Sequence, residues 1–182
     1  MDFYQVETCR VVGMSMGTYI AQAAAIAAPK RISHLALLVP KAHGKTSSVQ
    51  RILQEAGQDI SQLSQAEIMA IIGSKSIAPT TSPEILAQMS GQTASVELTA
   101  EQKAAVDEAL AGFDLRPDLS QITAKTIVFS GQYDGLNPPE LGREVAQGIK
   151  GAQFVLFEHS GHILHLEEAD KCHQQLLAFL AQ

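Results

Sequence analysis

The sequence predicts an α/β fold in which a mostly parallel sheet is flanked by helices and carries an inserted all-helical segment. Four short apolar runs rich in Val, Ile, Leu or Phe lack clear alternation, which is typical of strands covered on both faces. Helical patterns separate these runs, and a strand–helix–strand order predicts right-handed crossovers between parallel strands. Between the second and third runs, residues 41–113 show no strand signal, which indicates the helical insertion.

The strands and helices of the core follow from these patterns. The first core helix stops before Pro29, and the second has a proline in its first turn and Gly151 just beyond its end, as helix boundaries commonly do. The predicted strands are Cys9–Val12, His34–Val39, Thr126–Ser130 and Gln153–Phe157. The predicted core helices are Met16–Ala28, Pro139–Ile149 and Glu168–Leu180.

The helical insertion divides the chain into three parts. We predict a core segment at 1–40, a helical cap at 41–113 and a second core segment at 114–182. Ser64 and Thr99 are typical N-cap residues, and a glutamine three residues after Thr99 completes the pattern of a capping box. The cap helices are expected near Ser47–Ala56, Gln65–Ile72, Pro83–Met89 and Thr99–Ala111.

Composition and charge exclude several classes of function. The 182 residues suit one domain with an insertion, and a net charge of −6 without a Lys/Arg cluster argues against a nucleic-acid or anionic-membrane surface. Cys9 and Cys172 make neither a disulfide framework nor a zinc set. The first residues show no signal-peptide pattern, and the longest apolar run, Tyr19–Pro29, is too short to cross a bilayer. We therefore expect a cytoplasmic protein that binds neither nucleic acid nor membranes.

A serine between two glycines marks the end of the first predicted strand. The stretch Gly13–Gly17 fits the pattern G-x-S-x-G and leads directly into a helix. A serine pushed outward on such a turn needs a strained backbone, and neighbours without side chains let the strand and helix approach each other. The free N–H groups at the helix start would point to the place where an oxyanion forms beside Ser15. The same glycines also fit a strand–helix turn without any chemistry.

Two further residues of suitable chemistry follow later strands. Asp134 lies a few residues beyond the third strand, and His162 lies in the loop after the fourth. Taken alone, each fits an ordinary loop, as an aspartate beside glycine in a turn and as a histidine without a partner. Together with Ser15 they occur in the order Ser, Asp, His, each beyond the carboxyl end of a parallel strand, where open α/β sheets place their sites. This combination predicts a triad of Ser15, His162 and Asp134.

These motifs resemble those of the α/β-hydrolase superfamily, in the branch of serine hydrolases with a helical cap. "VVGMSMG" resembles its nucleophile elbow, "GQYDGLNP" its acid turn and "GHILHLE" its C-terminal histidine motif, and the match covers nearly the whole chain. The resemblance implies that Ser15 is the nucleophile, His162 the general base and Asp134 the acid that orients it. It implies the backbone N–H of Met16 as one oxyanion donor, a small-molecule acyl substrate, and no metal or organic cofactor.

The position of the elbow so close to Met1 departs from the family pattern. The resemblance implies that several strands precede the elbow and that a loop among them supplies the second oxyanion donor. We therefore expect the chain to correspond to the C-terminal part of such a hydrolase, with weak turnover. We also expect an exposed sheet edge at Cys9–Val12 that favours self-association. A non-catalytic interaction module with the same fold is the alternative.

Two other patterns suggest different chemistry but lack essential parts. Histidines recur every three residues from His159 to His165, yet no supporting zinc ligand is evident elsewhere. Residues 44–46 read Gly-Lys-Thr after a strand, as in a phosphate-binding loop, but Val39 stands where that loop needs a glycine and Pro40 lacks an N–H. We therefore predict hydrolysis of a carboxylic ester, lactone or related acyl substrate through an acyl-enzyme.

The predicted cap carries no motif that names the acyl group or the leaving group. Several of its apolar residues could line a pocket, although packing between cap helices fits most of them better. These residues are Ile52, Leu53, Ile68, Met69, Ile72, Ile85 and Met89.

Overall fold

The sheet of the computed structural model contains four parallel strands in the order β1-β2-β3-β4. The structure describes residues 1–45, 47–57, 59, 62–91 and 98–182, with only the backbone at 65, 89–91, 103 and 107. The strands begin and end within two residues of their predicted bounds, and the predicted α/β fold is confirmed. They are β1 Cys9–Met14, β2 Ile32–Leu38, β3 Lys125–Gly131 and β4 Gln153–Phe157.

Helices connect and follow these strands. Within the described residues there are two short 3-10 helices, Asp2–Tyr4 and Arg116–Gln121, and eight α-helices. None of the described helices combines the length and apolar character that a bilayer crossing requires. The α-helices are α1 Met16–Ala27, α2 Ser48–Glu55, α3 Gln65–Ser76, α4 Pro83–Gly91, α5 Ala100–Leu110, α6 Pro139–Gly148, α7 Leu164–Glu167 and α8 Ala169–Leu180.

Two apolar layers cover the two faces of the sheet. On one face, Leu37 of β2 packs in a cluster with Ala25 of α1 and Val145 of α6. On the other face, Phe129 of β3 belongs to a cluster that includes Phe179 of α8. Burial of one such leucine or phenylalanine side chain contributes about 1.5–3 kcal/mol. The two layers bury β2 and β3. Because the strands are parallel, the loops that follow them lie at the same edge of the sheet.

The edge strands differ from the prediction that all four strands are covered on both faces. Among the described residues β1 pairs with β2 alone, and its burial alternates along the strand. Gly13 is buried, whereas the side chain of Val12 is 46% exposed. Strand β4 is only partly buried over most of its length. The prediction was therefore wrong for the two edge strands, because an edge position leaves part of each strand without a packing partner.

Helices α2–α5 lie between β2 and β3 in the chain, in the segment predicted as a cap. The predicted N-caps are confirmed: Ser64 Oγ accepts the backbone N–H of Glu67, and Thr99 Oγ1 accepts that of Gln102, both in capping boxes. Helix α3 continues to Ser76, beyond its predicted end at residue 72. The reason is that the last turn of α3 is held by contacts with the loops of the candidate site.

The apolar residues of this segment divide by burial. Ile52 and Leu53 of α2 are fully buried, which agrees with a packing role. Met69 of α3 is 55% exposed, so it is neither packed in the core nor enclosed in a pocket. The side chain of Met89 lies outside the described residues.

Candidate active site

Ser15 lies at the sharp turn between β1 and α1. Its backbone has φ 50° and ψ −120°, a left-handed φ that non-glycine residues rarely adopt. A Cβ atom at Gly13 would lie 2.7 Å from the carbonyl oxygen of Gly17, so this glycine is required where strand and helix cross. Gly17 itself has no atom within 4 Å of where its Cβ would lie. The steric explanation of the motif therefore holds for the serine and for the first glycine, but not for the second.

The three predicted triad residues meet at the carboxyl ends of the strands. Ser15 Oγ lies 2.8 Å from Nε2 of His162, and Nδ1 of His162 lies 2.8 Å from Oδ2 of Asp134. The side chain of Asp134 is fully buried and that of His162 is 11% exposed. The structure thus places a hydroxyl, an imidazole and a carboxylate in a line of two hydrogen bonds, with the carboxylate shielded from water.

The turn after β3 fixes the carboxylate of Asp134. Oδ1 of Asp134 accepts the backbone N–H groups of Leu136 and Asn137, both at 2.9 Å, which leaves Oδ2 directed at the imidazole. The buried amide of Asn137 donates in turn to the carbonyl oxygen of Val39 at 2.7 Å. Val39 adopts φ 51°, an unusual conformation for a β-branched residue. These bonds tie the end of β2 to the acid turn.

The loop that carries His162 is held by the end of helix α3. The backbone N–H of His162 donates to the carbonyl oxygen of Ser76 at 2.6 Å. Glu167 braces the same region, because its Oε2 accepts the N–H of Gly161 at 2.6 Å while its Oε1 accepts the N–H of Ala78 at 2.7 Å and the hydroxyl of Thr81 at 2.5 Å. The last turn of α3 and the histidine loop therefore form one hydrogen-bonded unit.

Helix α1 begins immediately after Ser15. The N–H of Met16 belongs to the first turn, where backbone donors have no acceptor within the helix. The hydroxyl of Thr18 in the same turn donates to the carbonyl oxygen of Ser15 at 2.6 Å. The role of the Met16 N–H as an oxyanion donor stays a prediction, and so does the source of a second donor.

A cavity of about 510 Å³ opens beside Ser15. Helix α2 and the segment after α5 form its other walls, so the helical insertion borders the site. A smaller cavity of about 290 Å³ adjoins it and has an almost wholly apolar lining. Both cavities share four lining residues, Met16, Tyr19, Leu110 and Phe113. The larger cavity is also lined by Lys41, Gly44, Lys45, Ser47, Ser48, Val49, Gln50, Ala111 and Gly112.

Burial changes the ionisation of two groups in the larger cavity. It raises the pKa of the Tyr19 hydroxyl, an effect that a hydrogen bond with Asn137 opposes and the charge of Asp134 reinforces. It lowers the pKa of the Lys41 ammonium, and the nearby charge of Arg51 lowers it further.

The two other sequence patterns are the histidines that recur every three residues and the Gly-Lys-Thr stretch at residues 44–46. His159 is exposed, and burial lowers the pKa of His165, with the charge of His162 acting in the same direction. No three or more His, Cys, Asp or Glu side chains cluster as metal ligands in the part of the chain that the structure describes. Lys45 forms an ion pair of 3.2 Å with Asp114. Thr46, the last residue of the phosphate-loop pattern, lies outside the described residues.

Sequence reasoning missed three residues that shape this site. Lys41 lines the cavity, Asn137 holds the acid turn and Glu167 braces the histidine loop. The spacing from Asp134 to Asn137 is typical of an Asx turn, so the role of Asn137 could have been predicted from the sequence. Lys41 lies only three residues beyond the end of β2, and a lysine so close to an apolar strand was a weaker signal for a buried cation.

The chain also matches known proteins over most of its length. Residues 5–169 match the model of a family described as the alpha/beta hydrolase fold. The chain belongs to the alpha/beta hydrolase family. The resemblance noted in the sequence is thus confirmed at the level of the family, and the parallel sheet with its site at the strand ends agrees with this assignment.

One curated relative aligns with the whole chain. It is the 2-hydroxy-6-oxononadienedioate/2-hydroxy-6-oxononatrienedioate hydrolase of Paraburkholderia xenovorans (strain LB400), 25% identical over 189 residues. The alignment covers 100% of this chain and 65% of that protein. The chain therefore spans about two thirds of the length of this relative.

Solved structures of other proteins have a similar fold. The enol-lactonase from Burkholderia xenovorans LB400 has a TM-score of 0.69 and 26% identity, and the alignment covers 100% of this chain and 69% of that one. The alpha/beta hydrolase MGS-M2 from a Medee basin deep-sea metagenome library has a TM-score of 0.80 and 18% identity, covering 100% of this chain and 68% of that one.

Proposed function

We propose that this alpha/beta hydrolase cleaves a carboxylic ester, a lactone or a related acyl substrate through an acyl-enzyme on Ser15. The observation that carries the proposal is the pair of 2.8 Å contacts that join Ser15 Oγ to His162 and His162 to Asp134. A hydroxyl is a weak nucleophile on its own, and an adjacent base oriented by a buried carboxylate is the arrangement that activates it.

The reaction follows from the positions of these atoms. Nε2 of His162 removes the proton as Ser15 Oγ attacks the carbonyl carbon, and the positive imidazole that results is stabilised by Asp134. The oxyanion forms next to the N–H of Met16 at the positive end of helix α1. His162 then returns the proton to the leaving oxygen, and a water activated by the same histidine hydrolyses the acyl-enzyme.

Two comparisons support a carbonyl-containing substrate. The curated relative is a hydrolase of 2-hydroxy-6-oxononadienedioate, whose name specifies an oxo group, and the solved enol-lactonase acts on a cyclic ester. The apolar cavity beside the site is compatible with the hydrocarbon part of such a molecule.

A fluorophosphonate probe tests the proposal, because it reacts covalently with an activated serine. We expect labelling of the native chain at Ser15, identified by mass spectrometry, together with turnover of 4-nitrophenyl esters of increasing chain length. Ser15→Ala should lose both. Ser74→Ala, which alters an exposed serine of α3, should lose neither. A folded native chain that neither labels nor turns over esters would instead indicate a non-catalytic interaction module.

A further inference from the structure

The cavity beside Ser15 contains a buried cation that the proposed chemistry does not use. Lys41 lies just after β2 and is only 7% exposed, although lysine is among the residues least often buried. Its backbone carbonyl oxygen accepts the side-chain amide of Gln22 at 3.1 Å, so the residue is anchored from the core side. The residue lines the cavity that contains Ser15.

The ammonium of Lys41 has few partners for a buried charge. It donates to Ser48 Oγ at 3.0 Å and lies 5.7 Å from the centre of the Tyr19 ring. No described carboxylate lies within ion-pair distance of it. Lys45, the other lysine of the lining, is paired with Asp114. Lys41 is therefore the cation of this cavity whose charge is not compensated by the described part of the protein.

The surroundings of Lys41 favour an anion as the missing partner. The described lining of the cavity contains two lysines and neither aspartate nor glutamate, in a chain whose net charge is −6. The first turn of helix α2 borders the same space through Val49 and Gln50, so the positive end of that helix acts in the same direction. A buried charge is costly without a partner, and a bound carboxylate would supply the partner.

We propose that the substrate carries a carboxylate in addition to its scissile carbonyl, and that this carboxylate pairs with Lys41 while the carbonyl lies at Ser15. The inference rests on the proposed function for the identity of the reacting end. It names a substrate class, an anionic ester or lactone, and gives Lys41 the role of a specificity-determining residue. The hydrogen bonds to Ser48 and Gln22 hold the cation in place before the substrate binds.

A structural role for Lys41 is the competing explanation. Lys41 donates to Ser48, and the Ser48 hydroxyl donates to Asn137 Oδ1 at 3.3 Å, which links the lysine indirectly to the acid turn. Loss of such a link would weaken all substrates alike. Pairing with a carboxylate would instead affect charged substrates far more than neutral ones, so a ratio between matched ligands separates the two explanations.

Calorimetry on the Ser15→Ala variant measures the ratio of the affinities for a charged and a matched neutral ligand, without turnover of either. The ligands are mono-4-nitrophenyl adipate, which ends in a free carboxylate, and its methyl ester, which has the same ester group and no charge. We expect the acid to bind at least tenfold more tightly than the methyl ester. In Ser15→Ala/Lys41→Met the ratio should fall to about one. In the matched control Ser15→Ala/Lys150→Met, which alters an exposed lysine outside the lining of the cavity, it should change by less than threefold.

Equal affinity for the two ligands, a ratio that survives in the Lys41→Met variant, or no binding of either ligand would overturn the inference. Circular dichroism and the melting temperature verify that each variant is folded, and Lys41→Gln replaces Lys41→Met if the latter does not fold. Failure of the proposed function has a different signature, because it appears as absent fluorophosphonate labelling of the native chain. Binding to Ser15→Ala does not depend on that labelling.

Discussion

The backbone N–H of His162 donates to the carbonyl oxygen of Ser76, the last residue of helix α3, at 2.6 Å. The preceding residue of α3, Lys75, accepts the N–H of Gly135 in the acid turn at 2.7 Å. One end of one helix of the insertion therefore contacts both the loop of the imidazole and the loop of the carboxylate. The geometry of the site depends on a segment that supplies none of its three reacting side chains.

Glu167 is expected to act as a positioning residue for His162. Glu167→Ala would leave the N–H groups of Gly161 and Ala78 without their acceptor, and each buried unsatisfied group costs about 1–3 kcal/mol. The Thr81 hydroxyl would keep the carbonyl oxygen of Ala78 as an acceptor. We expect a lower melting temperature and a loss of at least tenfold in kcat, with KM changed much less.

Glu167→Gln should recover part of this activity, because its amide oxygen can still accept one of the bonds. Glu158→Ala, which alters an exposed glutamate, is the control and should behave like the native chain. A Glu167→Ala variant with native kcat would show that the histidine loop is held in place by its other contacts.

Asp134→Asn tests the orientation of the imidazole. An asparagine side chain can present its amide N–H to Nδ1 of His162, which stabilises the tautomer that cannot accept a proton at Nε2. We expect kcat to fall by up to ~10⁴ with the fold preserved, as measured by ester hydrolysis and circular dichroism. Asp170→Asn, at an exposed aspartate, should keep native kcat. Native turnover by Asp134→Asn would contradict the role assigned to this carboxylate.

Glu168 should make stability depend on pH. Burial alone would raise its pKa, but hydrogen bonds from the Ser160 hydroxyl, the His159 N–H and Lys171 outweigh burial and lower the pKa below its ordinary value of 4.5. A carboxyl whose pKa is lower in the folded state contributes stability above its unfolded pKa. That contribution disappears as the pH falls through the folded value.

The expected measurement is therefore a difference between two pH values. Glu168→Gln should lower the free energy of unfolding by about 1.5–3 kcal/mol at pH 7, and by clearly less at pH 3. Denaturant unfolding at both pH values measures this difference. Glu158→Gln, at an exposed position, should change stability by less than about 0.5 kcal/mol at either pH. An equal cost of Glu168→Gln at both pH values would contradict the sign of the pKa shift.

The edge position of β1 predicts self-association. Val12 is 46% exposed on a strand that pairs with only one described neighbour, and a strand with one unpaired backbone edge invites pairing with another copy. We expect size-exclusion chromatography with light scattering to detect oligomers of the native chain. Val12→Lys should shift them toward the monomer, whereas Met69→Lys on α3 should not. A native chain that is monomeric at all concentrations tested would refute this prediction.

The sequence allowed the strands and the three candidate residues to be predicted because both signals are local. Apolar runs locate the strands, and a serine between glycines, an acid turn and a histidine loop each follow one strand. The contact between His162 and Ser76 could not be predicted, since it joins backbone groups far apart in the chain. The error at the end of α3 has the same origin: Gly73 and Ser74 have low helix propensity, but the hydrogen bonds that Lys75 and Ser76 accept hold the last turn.

The left-handed backbone of Ser15 lowers the stability of the fold at the same residue that supplies the reactive hydroxyl. Holding a non-glycine residue in such a conformation costs about 1–3 kcal/mol, and the rest of the fold must compensate for it. Ser15→Gly removes that strain together with the hydroxyl, so an inert protein should melt at a higher temperature than the native one. Selection for heat resistance alone would therefore discard the serine first. If Ser15 is the nucleophile proposed above, heat resistance and reactivity make opposite demands on this one position.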